Sequence, residues 1–279
     1  MTPVKWVYSF LEKYRYKMAA GLLMVTGIAL LTIVNPYISG RIVDDVITGG
    51  NYKLLPVLIG CLLGVVALKG ILRYASQVMF EICSQGVLYS MRDAVYRKLL
   101  QEDFSFYNKN RTGDLMSRQT GDMDAIRHFI AYIIYSVYEN ILLLSFALIM
   151  IFTVNVKLAL AMLVVLPFTA LTTYGQSKSV RPAFMKIRQQ FSSLNTFVQE
   201  NISGNRVVKA FAREDFEIEK FNKENDAYRD AELNAAAIWK KYVPIFEFLS
   251  NILTVVLMLY GGYMVIQGEI TMGNLVTVN

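Results

Sequence analysis

The sequence is poor in the residues that build metal centres and disulfide frameworks. It holds two cysteines, Cys61 in an apolar run and Cys83 in a charged stretch, and no Cys-x-x-Cys pair. A single histidine, His128, stands where a charged segment turns apolar. Neither a zinc site nor a disulfide scaffold is indicated, and His128 is better explained as a polar residue at a membrane interface.

Charge is also scarce for a chain of this length. Only 18% of the 279 residues are charged, whereas 54% are hydrophobic, and the mean hydropathy is +0.38. This composition excludes an ordinary soluble domain. The net charge of +6 does not indicate nucleic-acid binding, because the basic residues stand in blocks between apolar stretches, as membrane topology requires.

Long apolar segments are the main feature of the chain. A helix that crosses a bilayer needs about 20 mostly apolar residues. Five segments meet that requirement, and we predict spans at residues 18–38, 54–80, 129–152, 158–177 and 242–267. A sixth span begins at residue 270 and is expected to be truncated. The sequence therefore predicts an all-α membrane protein.

The basic residues set the expected topology. Residues 1–17 hold 4 Lys and Arg, residues 81–127 hold 7, and residues 178–241 hold 12. By the positive-inside rule, the N-terminal segment 1–17 and the loops 81–128 and 178–241 are expected to be cytoplasmic. The second loop has helical periodicity, so it predicts two helices of about 30 residues that project about 45 Å from the membrane.

Two charged stretches resemble a known family. "FSFYNKNRTGDLMSRQTGDMDAI" (Phe104–Ile126) is similar to the first intracellular loop of ATP-binding cassette (ABC) exporters. "QENISGNRVVKAFAREDFEIEKF" (Gln199–Phe221) is similar to the second. Both lie between the predicted spans in the order that the family has, and the resemblance extends from about residue 17 to the end.

The resemblance implies that residues 18–279 form the six-span transmembrane domain of a type 1, multidrug- or lipid-exporter-like ABC transporter. In that family, two halves build one translocation path, as a homodimer or a heterodimer. A short coupling helix in each loop docks on a nucleotide-binding domain. The residues that match the docking segments are Phe106, Tyr107, Thr112, Gly113, Asp114 and Leu115 in the first loop and Phe211, Ala212, Arg213, Glu214 and Asp215 in the second.

The chain departs from the family in its ATPase motifs. The sequence contains neither a G-x-x-x-x-G-K-[ST] phosphate loop nor an LSGGQ signature, so no catalytic or metal-binding residue is assigned here. ATP and Mg²⁺ are implied only for a nucleotide-binding domain that is fused or separate. Whether this chain counts as part of an enzyme depends on that domain. The expected partners are that domain, a second exporter half and the lipid bilayer.

Ionisable and amide side chains interrupt the predicted spans. Such groups are costly in hydrocarbon and usually face a cavity or a polar partner. The candidates for lining a substrate cavity are Lys69, Arg73, Gln77, Glu139, Asn140, Glu247 and Asn251. The alternative is that they only join helices, with Lys69 or Arg73 paired to Glu139 or Glu247.

The sequence thus predicts a multi-pass permease subunit in the cell membrane that exports lipophilic or amphiphilic compounds. A membrane scaffold or receptor that recruits a cytoplasmic partner is one alternative, although a scaffold needs no charged residue in its spans. A secondary transporter is the other, although an internal repeat, which such transporters often have, is not evident. The substrate itself cannot be deduced from the sequence.

Overall fold

The computed structural model describes residues 2–278, and within that range the chain is helical, without strands. The α-helices are α1 (Pro3–Leu11), α2 (Arg15–Arg41), α3 (Leu55–Leu100), α4 (Phe104–Lys109), α5 (Thr112–Ser117), α6 (Met123–His128), α7 (Ile134–Val154), α8 (Val156–Leu163), α9 (Val165–Ala210), α10 (Glu214–Val256), α11 (Gly262–Ile266) and α12 (Met272–Val278). Turns of π-helix follow α2, α5, α6 and α10, at Ile42–Thr48, Arg118–Asp122, Phe129–Ile133 and Leu257–Gly261. Short 3₁₀ turns, Glu12–Tyr14 and Tyr52–Leu54, precede α2 and α3.

Five helical stretches in the described range are long and apolar enough to cross a membrane. They are Lys5–Thr48, Tyr52–Leu100, Thr112–Val154, Val156–Ala210 and Glu214–Ile266. Each overlaps one of the five predicted spans, so the prediction of an all-α, multi-pass membrane protein is confirmed. The short helix α12 begins where the sixth span was expected.

The chain divides into two compact units, Met1–Val156 with Gly261–Asn279, and Lys157–Tyr260. In the first unit, α2 packs along α3, and α7 packs on α2. A small core joins these helices through Val25, Phe80 and Tyr135. The rings of Phe80 and Tyr135 lie 5.5 Å apart, and the Tyr138 and Thr26 hydroxyls share a 3.0 Å hydrogen bond.

The N-terminal segment forms a helix that the sequence analysis did not predict. One face of α1 carries Trp6, Val7, Phe10 and Leu11, and these side chains pack against a second core. That core consists of buried residues from α3 and from the start of the third stretch: Val87, Leu88, Met91, Met123 and Ile130. The apolar face of α1 is therefore covered by protein, and α1 ties two neighbouring helices together.

The second unit is a long hairpin of α9 and α10. The two helices contain 46 and 43 residues, so each is about 65–70 Å long at 1.5 Å per residue. Ring contacts between Phe191 and Tyr228 and between Phe197 and Phe221 join them. Stable side-by-side packing of this kind makes the hairpin a rod whose end lies far from the apolar halves of its helices.

Candidate functional site

The first tip (residues 101–117) turns the chain between α3 and the third membrane-crossing stretch. Asp103 caps α4, because its carboxylate accepts a 2.9 Å hydrogen bond from the Phe106 backbone N–H. The Ser105 hydroxyl donates to the same oxygen at 2.9 Å. The Phe106 N–H, followed by the Ser105 hydroxyl, lowers the pKa of Asp103 below its ordinary 3.8. A charged cap of this kind stabilises the beginning of a helix.

Two of the three aromatic side chains of the first tip, Phe106 and the 41% exposed Tyr107, make contacts within the tip, and the third is almost fully exposed. The Tyr107 hydroxyl donates a 2.6 Å hydrogen bond to the Leu99 carbonyl at the end of α3. Phe106 stacks edge-on against Tyr107 at 5.5 Å and is partly buried. Phe104 is 89% exposed, although the sequence analysis did not select it. Phe106 and Tyr107 thus hold the tip together, while Phe104 is free to contact a partner.

The predicted motif after the turn forms α5. Thr112, Gly113 and Asp114 are exposed, and Leu115 is half-buried. Beyond α5, two reciprocal hydrogen bonds tie the returning chain to α3. Arg92 Nε donates to the Gln119 carbonyl at 3.2 Å, and Gln119 Nε2 donates to the Arg92 carbonyl at 3.0 Å.

The second tip (residues 209–216) is a turn rather than the separate short helix that the resemblance implied. α9 ends at Ala210 and α10 begins at Glu214. The Arg213 N–H donates to the Val208 carbonyl and the Ala212 N–H to the Lys209 carbonyl, which is the bond pattern of a Schellman motif. Ala212 has a φ of 49°, in the left-handed region that favours glycine.

This turn presents Phe211, which is 74% exposed. Two of its charged neighbours form an ion pair: Lys209 Nζ lies 2.9 Å from a Glu214 carboxylate oxygen, and this bond lowers the pKa of Glu214. Arg213 lies over the Phe216 ring at 5.7 Å. Asp215, like Ala212, is exposed. An exposed aromatic side chain between fixed charges suits a socket-type contact.

The polar residues predicted to line a cavity are partly brought together. Arg73 on α3 binds both carboxylate oxygens of Glu139 on α7, at 2.8 and 2.6 Å, and Glu139 is buried. One of the expected helix-joining pairs is therefore present. Asn140 is exposed, and its amide donates to the Ser136 carbonyl within its own helix. Glu247 and Asn251 are exposed on α10, in the other unit.

On the C-terminal side of Arg73, a groove of about 480 Å³ lies beside α3. Its walls include Tyr74, Gln77, Glu81, His128 and Tyr132. His128 stacks on Tyr132 at 5.6 Å, so it belongs to an aromatic wall, which the sequence analysis did not foresee. Among residues 2–278, no group of three or more His, Cys, Asp or Glu side chains is placed to hold a metal ion.

A further contact joins the far end of α2 to α12. The Asp44 carboxylate accepts hydrogen bonds from the Thr271 hydroxyl and the Gly273 N–H, both at 2.6 Å. A Cβ on Gly273 would collide with the Gly40 carbonyl, and one on Gly40 would collide with Gly273. The two backbones touch only because both residues are glycine. Sequence patterns could not find this contact, because its halves are 227 or more residues apart.

Comparison with known proteins identifies the family. Residues 18–279 match the ABC transporter transmembrane region family. The chain belongs to this family. It is 38% identical to the uncharacterized ABC transporter ATP-binding protein YknU of Bacillus subtilis, over 94% of this chain and 45% of that protein. It is 27% identical to an ATP-dependent lipid A-core flippase of Syntrophus aciditrophicus, over 93% of this chain and 43% of that protein.

The chain is also 28% identical to the multidrug resistance-like ATP-binding protein MdlA of Escherichia coli, over 95% of this chain and 45% of that protein. It thus spans about half the length of the curated relatives that it matches. In this family, the transmembrane region associates with nucleotide-binding domains and dimerises, and the chain is accordingly the membrane part of an ABC transporter.

Proposed function

We propose that the chain is the permease half of an ATP-driven exporter and that its two tips dock on nucleotide-binding domains. The observation that carries this proposal is the exposed aromatic residue at the end of each long hairpin, Phe104 and Phe211. Covering an exposed apolar ring with a partner surface is favourable, so each tip offers a partner an aromatic anchor. The relatives named as ATP-binding proteins are about twice as long as the matched region, which supports a nucleotide-binding partner.

The proposed mechanism is alternating access driven by the hairpins. ATP and Mg²⁺ would bind outside this chain, because the sequence has no phosphate-binding loop. Movement of the nucleotide-binding domains would pull on the tips, and the packed helices would carry that movement into the spans. The basic residues of the loops support a cytoplasmic position for the tips and the N-terminus, and we propose the cell membrane as the location of the permease.

The substrates that we propose are lipophilic or amphiphilic compounds. Two relatives are named for lipid A-core flipping and for multidrug resistance. The groove beside α3 is lined by tyrosine rings next to polar side chains. Such a lining suits amphiphilic compounds. The paired Arg73 and Glu139 favour a transporter over a scaffold, because a scaffold has no need of a charged pair in its spans.

The test is Phe211→Ala in the transporter assembled with its nucleotide-binding domains. Losing an aromatic anchor costs about 2 kcal/mol or more at a typical protein interface, so we expect ATP-driven uptake of a fluorescent amphiphile into inside-out vesicles to fall at least about tenfold. Phe211→Trp should retain most of the uptake, because it keeps a ring at the same place.

The matched control is Leu233→Ala. Leu233 is also exposed on the hairpin, but it lies about 28 Å along α10 from Glu214. Uptake by this variant should stay within about twofold of the parent. If Phe211→Ala and Leu233→Ala behave alike, the second tip is not the site of docking.

A further inference from the structure

A row of alternating charges joins the two sides of the first hairpin, in which α3 turns through the first tip into α6 and α7. Arg127 of α6 donates a 3.2 Å hydrogen bond to Glu81 of α3. Arg127 also contacts Asp124 of its own helix, and Arg92 of α3 contacts the same Asp124 oxygen. We call Glu81, Arg127, Asp124 and Arg92 the charge ladder. Its end towards the first tip is fixed by the two reciprocal hydrogen bonds between Arg92 and Gln119.

The exposure of the charge ladder limits what it contributes to stability. The side chains of Asp124 and Arg92 are 54% and 40% exposed, and those of Glu81 and Arg127 are 49% and 28% exposed. Ion pairs at such positions add little to the free energy of unfolding, because water screens them and their side chains lose rotamer freedom. The hairpin is held together instead by the apolar core that α3 and α6 share. The ladder is therefore better suited to setting the position of α6 than to holding the fold.

Asp124 occupies the weakest point of the charge ladder. Its Oδ1 atom lies 3.4 Å from Arg127 Nε and 3.8 Å from Arg92 Nη2, whereas a short charge-assisted hydrogen bond measures about 2.7–2.9 Å. The carboxylate thus lies between two cations without a short bond to either of them. A displacement of about 1 Å would bring it within hydrogen-bond distance of one arginine and move it away from the other.

The helix that carries Asp124 is interrupted on both sides. α6 has six residues, and π-helical turns precede it at Arg118–Asp122 and follow it at Phe129–Ile133. Short π segments of this kind are found frequently at functional sites. Because the i→i+4 hydrogen bonding is already broken at both ends of α6, this segment can shift by a fraction of a turn without disrupting a continuous helix. The loose carboxylate and the two π turns together describe an element with two arrangements.

We propose that Asp124 is a positioning residue for coupling, which shifts between Arg92 and Arg127 as the first tip moves. Closing on Arg92 would draw α6 towards the tip end of α3, and closing on Arg127 would draw that guanidinium away from Glu81. Glu81 lines the groove beside α3, so the ladder joins the first tip to the wall of that groove. This inference rests on the proposed transport function and adds the side chain through which the first hairpin passes movement to the groove.

The test is the number of substrate molecules moved per ATP hydrolysed by the transporter assembled with its nucleotide-binding domains. Asp124→Asn keeps the size of the side chain and removes its charge, so we expect this ratio to fall at least about fivefold. Asp124→Glu keeps the charge and should retain at least about half of the ratio. The unfolding temperature of both variants should stay within about 4 °C of the parent. A purely structural role would lower the unfolding temperature together with the ratio.

Double variants test whether the two arginines share Asp124. Arg92→Gln and Arg127→Gln should each lower the ratio. In combination with Asp124→Asn, each loss should be smaller than the product of the two single losses, because the shared acid is already gone. Losses that multiply would show that the arginines act independently of Asp124 and would refute the sharing. The matched control is Arg97→Gln, which breaks an exposed pair with Asp93 on α3 and should leave the ratio within about twofold of the parent.

Hydrogen exchange separates this inference from the proposed function. It would be followed by mass spectrometry of the same assembly, with and without a non-hydrolysable ATP analogue. In the parent, exchange of the Arg118–Asp122 amides should change at least about threefold on adding the analogue, and Asp124→Asn should abolish the change. Unchanged exchange in the parent would overturn the inference even where ATP drives transport. Exchange that depends on Asp124 without any ATP-driven transport would support the inference and count against the proposed function alone.

Discussion

The pair formed by Arg73 and Glu139 should couple α3 to α7 with a measurable energy. The guanidinium group donates to both carboxylate oxygens, and the side chains are 35% and 10% exposed. Removing one partner of a fully buried pair costs about 3–5 kcal/mol, whereas an exposed pair contributes about 0–1 kcal/mol. Because only the Glu139 end is buried, we expect a coupling energy of about 2 kcal/mol.

A double-mutant cycle would measure this energy. Arg73→Ala, Glu139→Ala and the double variant would be unfolded in mixed micelles of increasing SDS content. Trp6 packs within the same unit, so its fluorescence in a Trp239→Phe background reports the unfolding of that unit. The double variant should be about 2 kcal/mol more stable than the sum of the two single effects predicts.

The control cycle uses Arg97 and Asp93, which form a 2.9 Å pair within one exposed turn of α3. Such i, i+4 pairs contribute about 0.3–0.5 kcal/mol. A coupling energy for Arg73 and Glu139 as small as that of the control pair would refute the reasoning. The two side chains would then meet without stabilising the contact between the helices.

Three further predictions concern the turns and the contact with α12. Ala212→Gly should relieve a left-handed alanine that costs about 1 kcal/mol, so trypsin should cleave after Arg213 about twofold to fivefold more slowly. Asp103 has a lowered pKa, so its cap stabilises the first tip above the ordinary value of 3.8 and is lost as the pH falls through the lower folded value. Proteolysis at that tip should therefore rise in acid, and Asp103→Asn, which still caps, should remove the pH dependence. Asp44→Ala removes two hydrogen bonds at the start of α12, worth about 1–2 kcal/mol together, and should accelerate amide exchange at Met272–Val278 about tenfold. Asp45→Ala, which breaks only a partly exposed pair with Arg41, should leave that exchange unchanged.

The membrane-crossing helices were predictable because the signal that identifies them, high hydropathy, lies within one continuous segment of the sequence. Runs of about 20 apolar residues need no tertiary information to be recognised. The continuation of α9 and α10 past the predicted spans was expected from the helical periodicity of residues 178–241, but the residue at which α9 ends was less predictable. Gly204 illustrates the reason. It lies inside α9 although glycine costs about 1 kcal/mol in a helix, and nearby contacts such as that of Phe197 with Phe221 hold the helix together.

The contacts that give the candidate site its geometry depend on tertiary structure. The sequence offered Lys69 or Arg73 as partners for Glu139 or Glu247, and spacing alone could not choose among them. The structure pairs Arg73 with Glu139, which are 66 residues apart. The N-terminal helix was missed for another reason: Trp6, Val7 and Phe10 recur with helical spacing, but α1 has only 9 residues and depends on packing for its stability.

The two hairpins resist sliding of their helices in different ways. A lever transmits motion only if its two helices stay in register. In the first hairpin, the reciprocal bonds between Arg92 and Gln119 are directional, so sliding by one turn, about 5.4 Å, would break them. In the second, the ring contacts of Phe197 and Phe221 are weakly directional, and the hydroxyls of Ser179 and Tyr242, which also join α9 to α10, are 3.4 Å apart. The register there must depend more on the short turn at Ala212. We therefore expect substitutions in that turn to uncouple transport more strongly than substitutions along the hairpin.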